Sequence, residues 1–253
     1  MNAETLLFEE LTCNSVPALQ TLLYDGWVLR FANGYCGRAN SVGMLYPSTL
    51  DIQLKINECE KIYSARGLNT LFKLTDNTAP VLDTLLAGQG YETARPTSLM
   101  AMDITDKNFD SADCVITSYA DDVWLEAYCN LSEYEHGDNK TNAKLIMDNT
   151  KNPASYIRIV KNGVTIACGS TVVERGYAAL LNIVVDKYLR GYGYGKLLCT
   201  SLLNEAKKLG AETSYLQVMQ NNETAVKLYE SLGYTHRYTY WYRVKEFCNE
   251  NKI

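Results

Sequence analysis

Histidine is scarce in this chain and cysteine is never paired. Only two histidines stand in 253 residues, far apart, and the eight cysteines run singly from Cys13 to Cys248. No CxxC pair and no Cys/His spacing suits zinc, so no metal is expected. The cysteines read as small buried thiols, as Cys168 does in 164-VTIACG-169. A basic excess is missing too: 24 Lys and Arg against 29 Asp and Glu leave a net charge of −5. That balance argues against a general nucleic-acid binder, which needs clustered cations. The first residues, 1-MNAETLLFEE, carry acids where a secretory signal needs positive charge. No uninterrupted apolar run approaches about 18 residues, so no membrane span is expected. With 47% hydrophobic and 21% charged residues, the expectation is a globular, reduced, cytoplasmic protein.

What is present is a repeat. Subtracting 143 from a residue number in the second half lands on a partner in the first. Gly210 meets Gly67, Thr213 meets Thr70, Gly233 meets Gly90 and Tyr234 meets Tyr91, with no gap. Each copy reads helix, glycine, short strand, helix, Gly-Tyr, strand. The four glycines stand where a helix ends and a left-handed residue is wanted. Leu198, Leu202, Ala206 and Leu209 form one stripe at helical spacing. Further along the second half, 114-CVITSY-119 predicts a strand, and 121–134 and 139–149 predict helices, the first opened by Asp121. The stretches 155–160, 164–174 and 177–185 predict an antiparallel meander. Strands alternating with such helices predict an α/β fold of the α+β type, a mixed central sheet flanked by helices. The expected domains are 1–106 and 114–253, joined by a polar linker at 107–113.

The densest feature is 186-DKYLRGYGYGKLL-198, placed after the apolar run 180-LLNIVV-185. The Walker pattern fails here, because Arg190 stands where it needs glycine and Leu197 where it needs Ser or Thr. The Rossmann GxGxxG pattern also fails, since the glycines are 191, 193 and 195. The parts of an anion cradle remain. Glycines let N–H groups face a ligand, and the following helix adds its free N–H groups. Arg190 and Lys196 add full charges. A merely tight turn would need fewer glycines.

On these residues, 183–198 resembles the acetyl-CoA-binding signature (R/Q)xxGx(G/A) of the GCN5-related N-acetyltransferases, filled here by Arg190, Gly193 and Gly195. The pattern NxxAxxxYxxxG(F/Y), common in that family, is met at Asn222, Ala225, Tyr229, Gly233 and Tyr234. The resemblance covers roughly 114–242. The first half, notably 26–42, looks like the N-terminal half of tandem members, so two domains of this type in tandem are expected.

The resemblance implies that strand 180–185 splays from its neighbour and that acetyl-CoA lies in the wedge. Ile183, Val184 and Val185 would pair with the pantetheine arm through their backbones. The N–H groups of Gly191, Tyr192, Gly193, Tyr194, Gly195 and Lys196 would take the pyrophosphate, and Asn222 would touch the pantetheine. Tyr229 would meet the departing sulfur as donor or general acid; its other reading is a core tyrosine with a routine partner. Glu133, Glu135 and His136 in 133-EYEHGD-138 are candidates for the general base, or a solvated loop. The amine acceptor would belong to a small molecule or to a peptide or protein. The sequence assigns no oligomeric state.

The repeat adds an asymmetry. Arg190, Gly191, Gly193 and Gly195 map onto Pro47, Ser48, Leu50 and Ile52, and Tyr229 maps onto Leu86. The first copy is therefore expected to be degenerate, without a CoA loop. Trp27, Arg30, Asn33, Arg38 and Asn40 are its candidates for an acceptor-pocket wall, or else they pack between the halves. A non-catalytic CoA or acyl-CoA sensor is the alternative to an acetyltransferase.

Overall fold

The computed structural model describes residues 2–78, 80–132 and 137–246. Glu133, Glu135 and His136 lie outside them. The chain forms two units: one runs up to Ser98 and resumes at Tyr238, the other is Leu99–Arg237.

The first unit holds helices α1 (Ala3–Ser15), α2 (Ile52–Ser64) and α3 (Pro80–Gly88). Its strands are β1 (Gln20–Tyr24), β2 (Trp27–Phe31), β3 (Val42–Met44) and β4 (Thr70–Thr75). β1, β2 and β3 pair antiparallel, and β3 pairs parallel with β4. The fifth strand comes from the far end of the chain. Residues 240–245 pair antiparallel with β4, from Tyr240↔Thr75 to Lys245↔Thr70. Arg243 fixes this strand with a two-pronged bond to Asp83, Nε–Oδ1 2.8 Å and Nη2–Oδ2 2.9 Å. The core packs Leu29, Phe31, Ile56, Tyr63, Phe72, Leu74 and Leu86.

In the second unit the strands are β6 (Val115–Thr117), β7 (Ala154–Lys161), β8 (Val164–Glu174), β9 (Tyr177–Val185) and β10 (Thr213–Met219). β6 to β9 are antiparallel neighbours, and β9 pairs parallel with β10. Beside β10 lies the end of β5 (Glu92–Asp103), a strand that begins in the first unit. The helices are α4 (Asp122–Leu131), α5 (Asp138–Asp148), α6 (Tyr194–Lys208) and α7 (Glu223–Leu232). The stripe Leu198, Leu202 and Ala206 is fully buried against Ala167, Ala178 and Leu180 of the sheet. Each buried leucine contributes roughly 1.5–3 kcal/mol. All eleven strands belong to one mixed sheet flanked by helices, as expected from the element pattern. Among the described residues no helix is long and apolar enough to cross a membrane.

The offset of 143 reappears in the element starts: Thr213 and Thr70, Glu223 and Pro80, and Thr235 of β11 (Thr235–Lys245) with Glu92. Gly67, Gly90, Gly210 and Gly233 all have positive φ, as helix ends require. The units divide at Ser98/Leu99 and Arg237/Tyr238, within β5 and β11, and not at the 107–113 connector. That connector is strapped to α6. The Ala112 N–H donates to Ser201 Oγ (3.0 Å), Asn204 Nδ2 to the Phe109 carbonyl (2.9 Å), and Lys207 Nζ to the Lys107 carbonyl (2.6 Å). A polar stretch reads as a linker in sequence, but here lysine and asparagine side chains of α6 take the carbonyls of Lys107 and Phe109.

Candidate functional site

β9 is the strand around which the site is built. Its ladder with β10 runs from Tyr177↔Thr213 to Leu180↔Leu216 and stops, although β9 continues to Val185 and β10 to Met219. On the other side β8 takes two steps, Cys168 to Ser170, while β9 takes three, Val184 to Leu181. The extra residue makes a bulge at Asn182, whose φ is 56°. Asparagine tolerates that left-handed conformation, and its Nδ2 donates to Ser170 Oγ at 3.1 Å. The bulge sharpens the strand's twist, and residues 181–185 turn out of the β10 ladder. Ile183, Val184 and Val185 are half-buried there. Beyond Leu180↔Leu216 no β9–β10 pair forms, so on that side these residues take no part in a β10 ladder.

Beyond β9 the chain makes a short 3-10 turn, Lys187–Leu189, capped by Asp186 Oδ1, which accepts from the Tyr188 N–H at 2.8 Å. Arg190 folds back, Nε to the Val185 carbonyl at 3.3 Å. Gly191 and Gly193 both have φ of 85°, and a Cβ at either would meet nothing within 4 Å. These glycines are therefore required by backbone conformation and not by crowding. They leave an open face over the loop. Gly193 is the N-cap of α6 and gives no side-chain cap. The first intrahelical donor is the Leu197 N–H, to the Gly193 carbonyl at 3.1 Å. The N–H groups of Tyr194, Gly195 and Lys196 thus point out of the helix end, together with the positive end of its dipole. Gly195 has a different reason: a Cβ there would stand 3.3 Å from Leu228 Cδ2, so it lets α7 approach α6. Replacing Gly193 by alanine is expected to strain the loop by about 1–2 kcal/mol. A lowered Tm checks the strain, and weaker CoA binding in titration checks the expectation that this loop holds CoA.

The second motif lies on α7. Asn222 caps the helix, Oδ1 accepting from the Ala225 N–H at 3.2 Å, and is exposed. Tyr229 is buried, its ring edge-on to Tyr234 at 6.0 Å. The two tyrosines differ at their hydroxyls. Tyr234 shares a 2.6 Å hydrogen bond with Ser214, whereas Tyr229 has no hydrogen-bond partner among the described residues. Burial raises the Tyr229 phenol well above its ordinary pKa, so it stays protonated and can donate. Cys199, whose charge would be felt by Tyr229, is itself pushed up to about 12 by burial. A thiol that weakly acidic is no nucleophile at neutral pH.

The structure also supplies a residue not singled out in the sequence. Lys161, at the tip of the β7–β8 hairpin, donates to Tyr194 Oη at 3.1 Å and so stands beside the glycine loop. Its only sequence signal was the turn 161-KNG-163. In the first unit, the candidates for a pocket wall are committed to that unit's own packing. Arg30 is buried and donates to the carbonyls of Cys13, Val16 and Arg38. Asn40 Oδ1 accepts from the N–H groups of Ala32 and Gly34, both at 3.1 Å. Trp27 packs edge-on to Phe72 at 5.7 Å. The polar atoms of Arg30 and Asn40 that make these bonds hold backbone of the first unit in place. Among the described residues no group of three or more His, Cys, Asp or Glu could hold a metal.

Comparison with known proteins agrees with this geometry. Residues 3–243 match the family described as "Probable histone acetyltransferase Rv0428c C-terminal". The chain is 30% identical over 246 residues to "Uncharacterized N-acetyltransferase YobR" of Bacillus subtilis, covering 94% of this chain and 97% of that protein. A shorter stretch of 95 residues is 35% identical to the ribosomal protein bS18-alanine N-acetyltransferase of Haemophilus ducreyi, 36% of this chain and 63% of that one. Among solved structures, a GCN5-related N-acetyltransferase from Kribbella flavida superposes with a TM-score of 0.72 at 15% identity, over 95% of each chain. A tandem GNAT protein from the clavulanic acid biosynthesis pathway gives 0.67 at 11% identity, over 83% of this chain and 76% of that one. At such identities the two structures speak for the fold alone.

Proposed function

This chain belongs to the GCN5-related N-acetyltransferases, and from that premise we propose that its second unit moves an acetyl group from acetyl-CoA to a primary amine by direct attack. The observation that carries the reading is the pairing of an opened β9–β10 wedge with a left-handed glycine loop at the start of α6. The fit to CoA is chemical. Residues 181–185 offer backbone groups to an amide-containing arm, and the N–H groups of 191–196 with Arg190, Lys196 and Lys161 suit a pyrophosphate.

Acetyl-CoA supplies an activated thioester. The residues of the chain orient it and manage charge and protons. A β9 N–H beyond the end of the β10 ladder would stabilise the negative charge that builds on the thioester carbonyl oxygen. Such a donor is worth about 3 kcal/mol in other enzymes. The amine nitrogen forms a C–N bond as the C–S bond breaks, and the Tyr229 hydroxyl meets the departing sulfur as hydrogen-bond donor or general acid, the thiol's proton coming in balance from the one the amine releases. The proton lost by the amine goes to a base near the acceptor. Glu133, Glu135 and His136 are proposed for that role from the family's pattern. The neutral, buried thiols near the site favour direct attack over an acyl-cysteine. The first unit serves as a degenerate partner without a CoA loop, and Trp27, Arg30 and Asn40 are proposed to shape the acceptor site only through the packing of that unit.

The acceptor is a primary amine of a small molecule or a peptide. The partial likeness to bS18-alanine N-acetyltransferases puts peptide α-amines first in a screen that also holds polyamines, aminoglycosides and amino acids. Thiol release from acetyl-CoA with at least one amine is the expected result. Clear acetyl-CoA binding with no release for any amine would return the protein to the sensor reading.

A further inference from the structure

In the first unit the place equivalent to the glycine loop is filled by the chain itself. The β1–β2 hairpin turns through Asp25 and Gly26, φ 42° and 80°, just as the β7–β8 hairpin turns through Asn162 and Gly163, φ 51° and 77°. The Asp25 carboxylate drops into the loop before α2. Its oxygens accept from the N–H groups of Thr49 (3.0 Å) and Leu50 (2.8 Å) and from the hydroxyls of Ser48 and Thr49, both 2.8 Å. By the offset of 143, residues 48–50 are the counterparts of 191–193. Behind the carboxylate stands Lys55, fully buried, with Nζ 3.1 Å from Asp25 Oδ2 and 4.1 Å from the Trp27 ring centre. A second carboxylate closes the helix end. Asp51 Oδ1 accepts from the N–H groups of Gln53 (2.9 Å) and Leu54 (3.1 Å).

The two units therefore treat one piece of geometry in opposite ways. At α6 the cap is a glycine with no side-chain bond, and the hairpin tip brings the cation Lys161 to the loop. At α2 the cap is an aspartate, and the hairpin tip brings an anion. We propose that Asp25 is a built-in replacement for a phosphate ligand: an internal anion that occupies the cradle of the first unit, neutralises buried Lys55 and shuts that unit to phosphate-bearing molecules. The name of the excluded ligand rests on the acetyl-CoA reading of the second unit. The internal-anion claim does not, because it can be tested with small anions alone.

The test is anion rescue of the Asp25→Ala chain. Removing the carboxylate leaves the buried Lys55 ammonium with neutral partners alone, the residue-25 carbonyl and Ser48 Oγ, and frees the loop N–H groups, so Tm should fall by about 5 °C or more. Acetate or inorganic phosphate should restore much of the loss, and chloride at matched ionic strength should not. The double variant Asp25→Ala/Lys55→Met, which no longer buries a charge, should lose the anion response. If Asp25→Ala does not fold in chloride, its refolding yield in acetate against chloride reads the same effect. An unchanged Tm, or acetate and phosphate acting no better than chloride, overturns the proposal. Acetylation by the second unit can fail or succeed independently of that result.

Discussion

Tyr229→Phe is expected to lower kcat by about 100-fold or more, as the loss of a positioned proton donor does, while acetyl-CoA affinity changes little. The structure gives the reason for that split. The Tyr229 ring is buried and edge-on to Tyr234, contacts that phenylalanine keeps. Its hydroxyl takes no hydrogen bond among the described residues, so removing it disturbs no visible network. Tyr234→Phe is the matched control, because it breaks the 2.6 Å bond to Ser214 inside the core. That variant should lose stability, by about 1–3 kcal/mol for a broken buried hydrogen bond, with kcat much less affected. Steady-state kinetics with the best amine from the screen, beside thermal unfolding, separates the two. If Tyr229→Phe keeps full kcat, Tyr229 is a core residue and no more.

The second large effect concerns stability. Lys73 and Glu9 form an almost fully buried pair, both oxygens of Glu9 lying 2.7 Å from the Lys73 Nζ. Tyr238 donates to the same carboxylate at 2.7 Å, and the Tyr240 ring lies 4.1 Å from the ammonium. The pair thus ties α1 and β4 to the strand that returns from the end of the chain. Lys73→Met leaves a buried carboxylate without its cation, which costs about 3–5 kcal/mol. At about 2–4 °C per kcal/mol for a chain of this class, Tm should fall by roughly 6–20 °C. Glu9→Leu/Lys73→Met should recover most of the loss, since replacing both charges removes the desolvation cost as well. A single variant as stable as the parent would show that the returning strand is held without this pair.

Much of the fold could be read from residue pattern. Helical stripes such as Leu198, Leu202 and Ala206, and the glycines at helix ends, depend only on local periodicity and local φ. For the same reason the offset of 143 carried through to element starts. Pairing across the sheet could not be read this way. β5 and β11 begin at matched positions of the repeat, but each finishes in the other unit, and a strand's pattern does not say which edge it will join. The contacts of the 107–113 connector were hidden for a related reason, since they are made with α6 side chains far along the chain.

At the site, the glycine loop and the Asn222/Tyr229 pattern were legible because each needs fixed residue types at fixed spacing. The bulge at Asn182 left one trace, a polar residue inside 180-LLNIVV-185. Lys161 and Asp25 left almost none. Both act from hairpin tips more than twenty residues from the loops they serve, and their meaning comes from contact, not from neighbours in sequence. Arg30 and Asn40 show the reverse. They were candidates for an acceptor-pocket wall or for packing between the halves, and backbone carbonyls and N–H groups of the first unit take their polar atoms.

Calorimetric titration of the whole chain with CoA tests most directly whether the loop after β9 is the cofactor cradle of this protein. One CoA per chain is predicted, with binding strongly weakened when Arg190 and Gly193 are both replaced by alanine. Two CoA sites per chain, or an affinity indifferent to that double replacement, would contradict it.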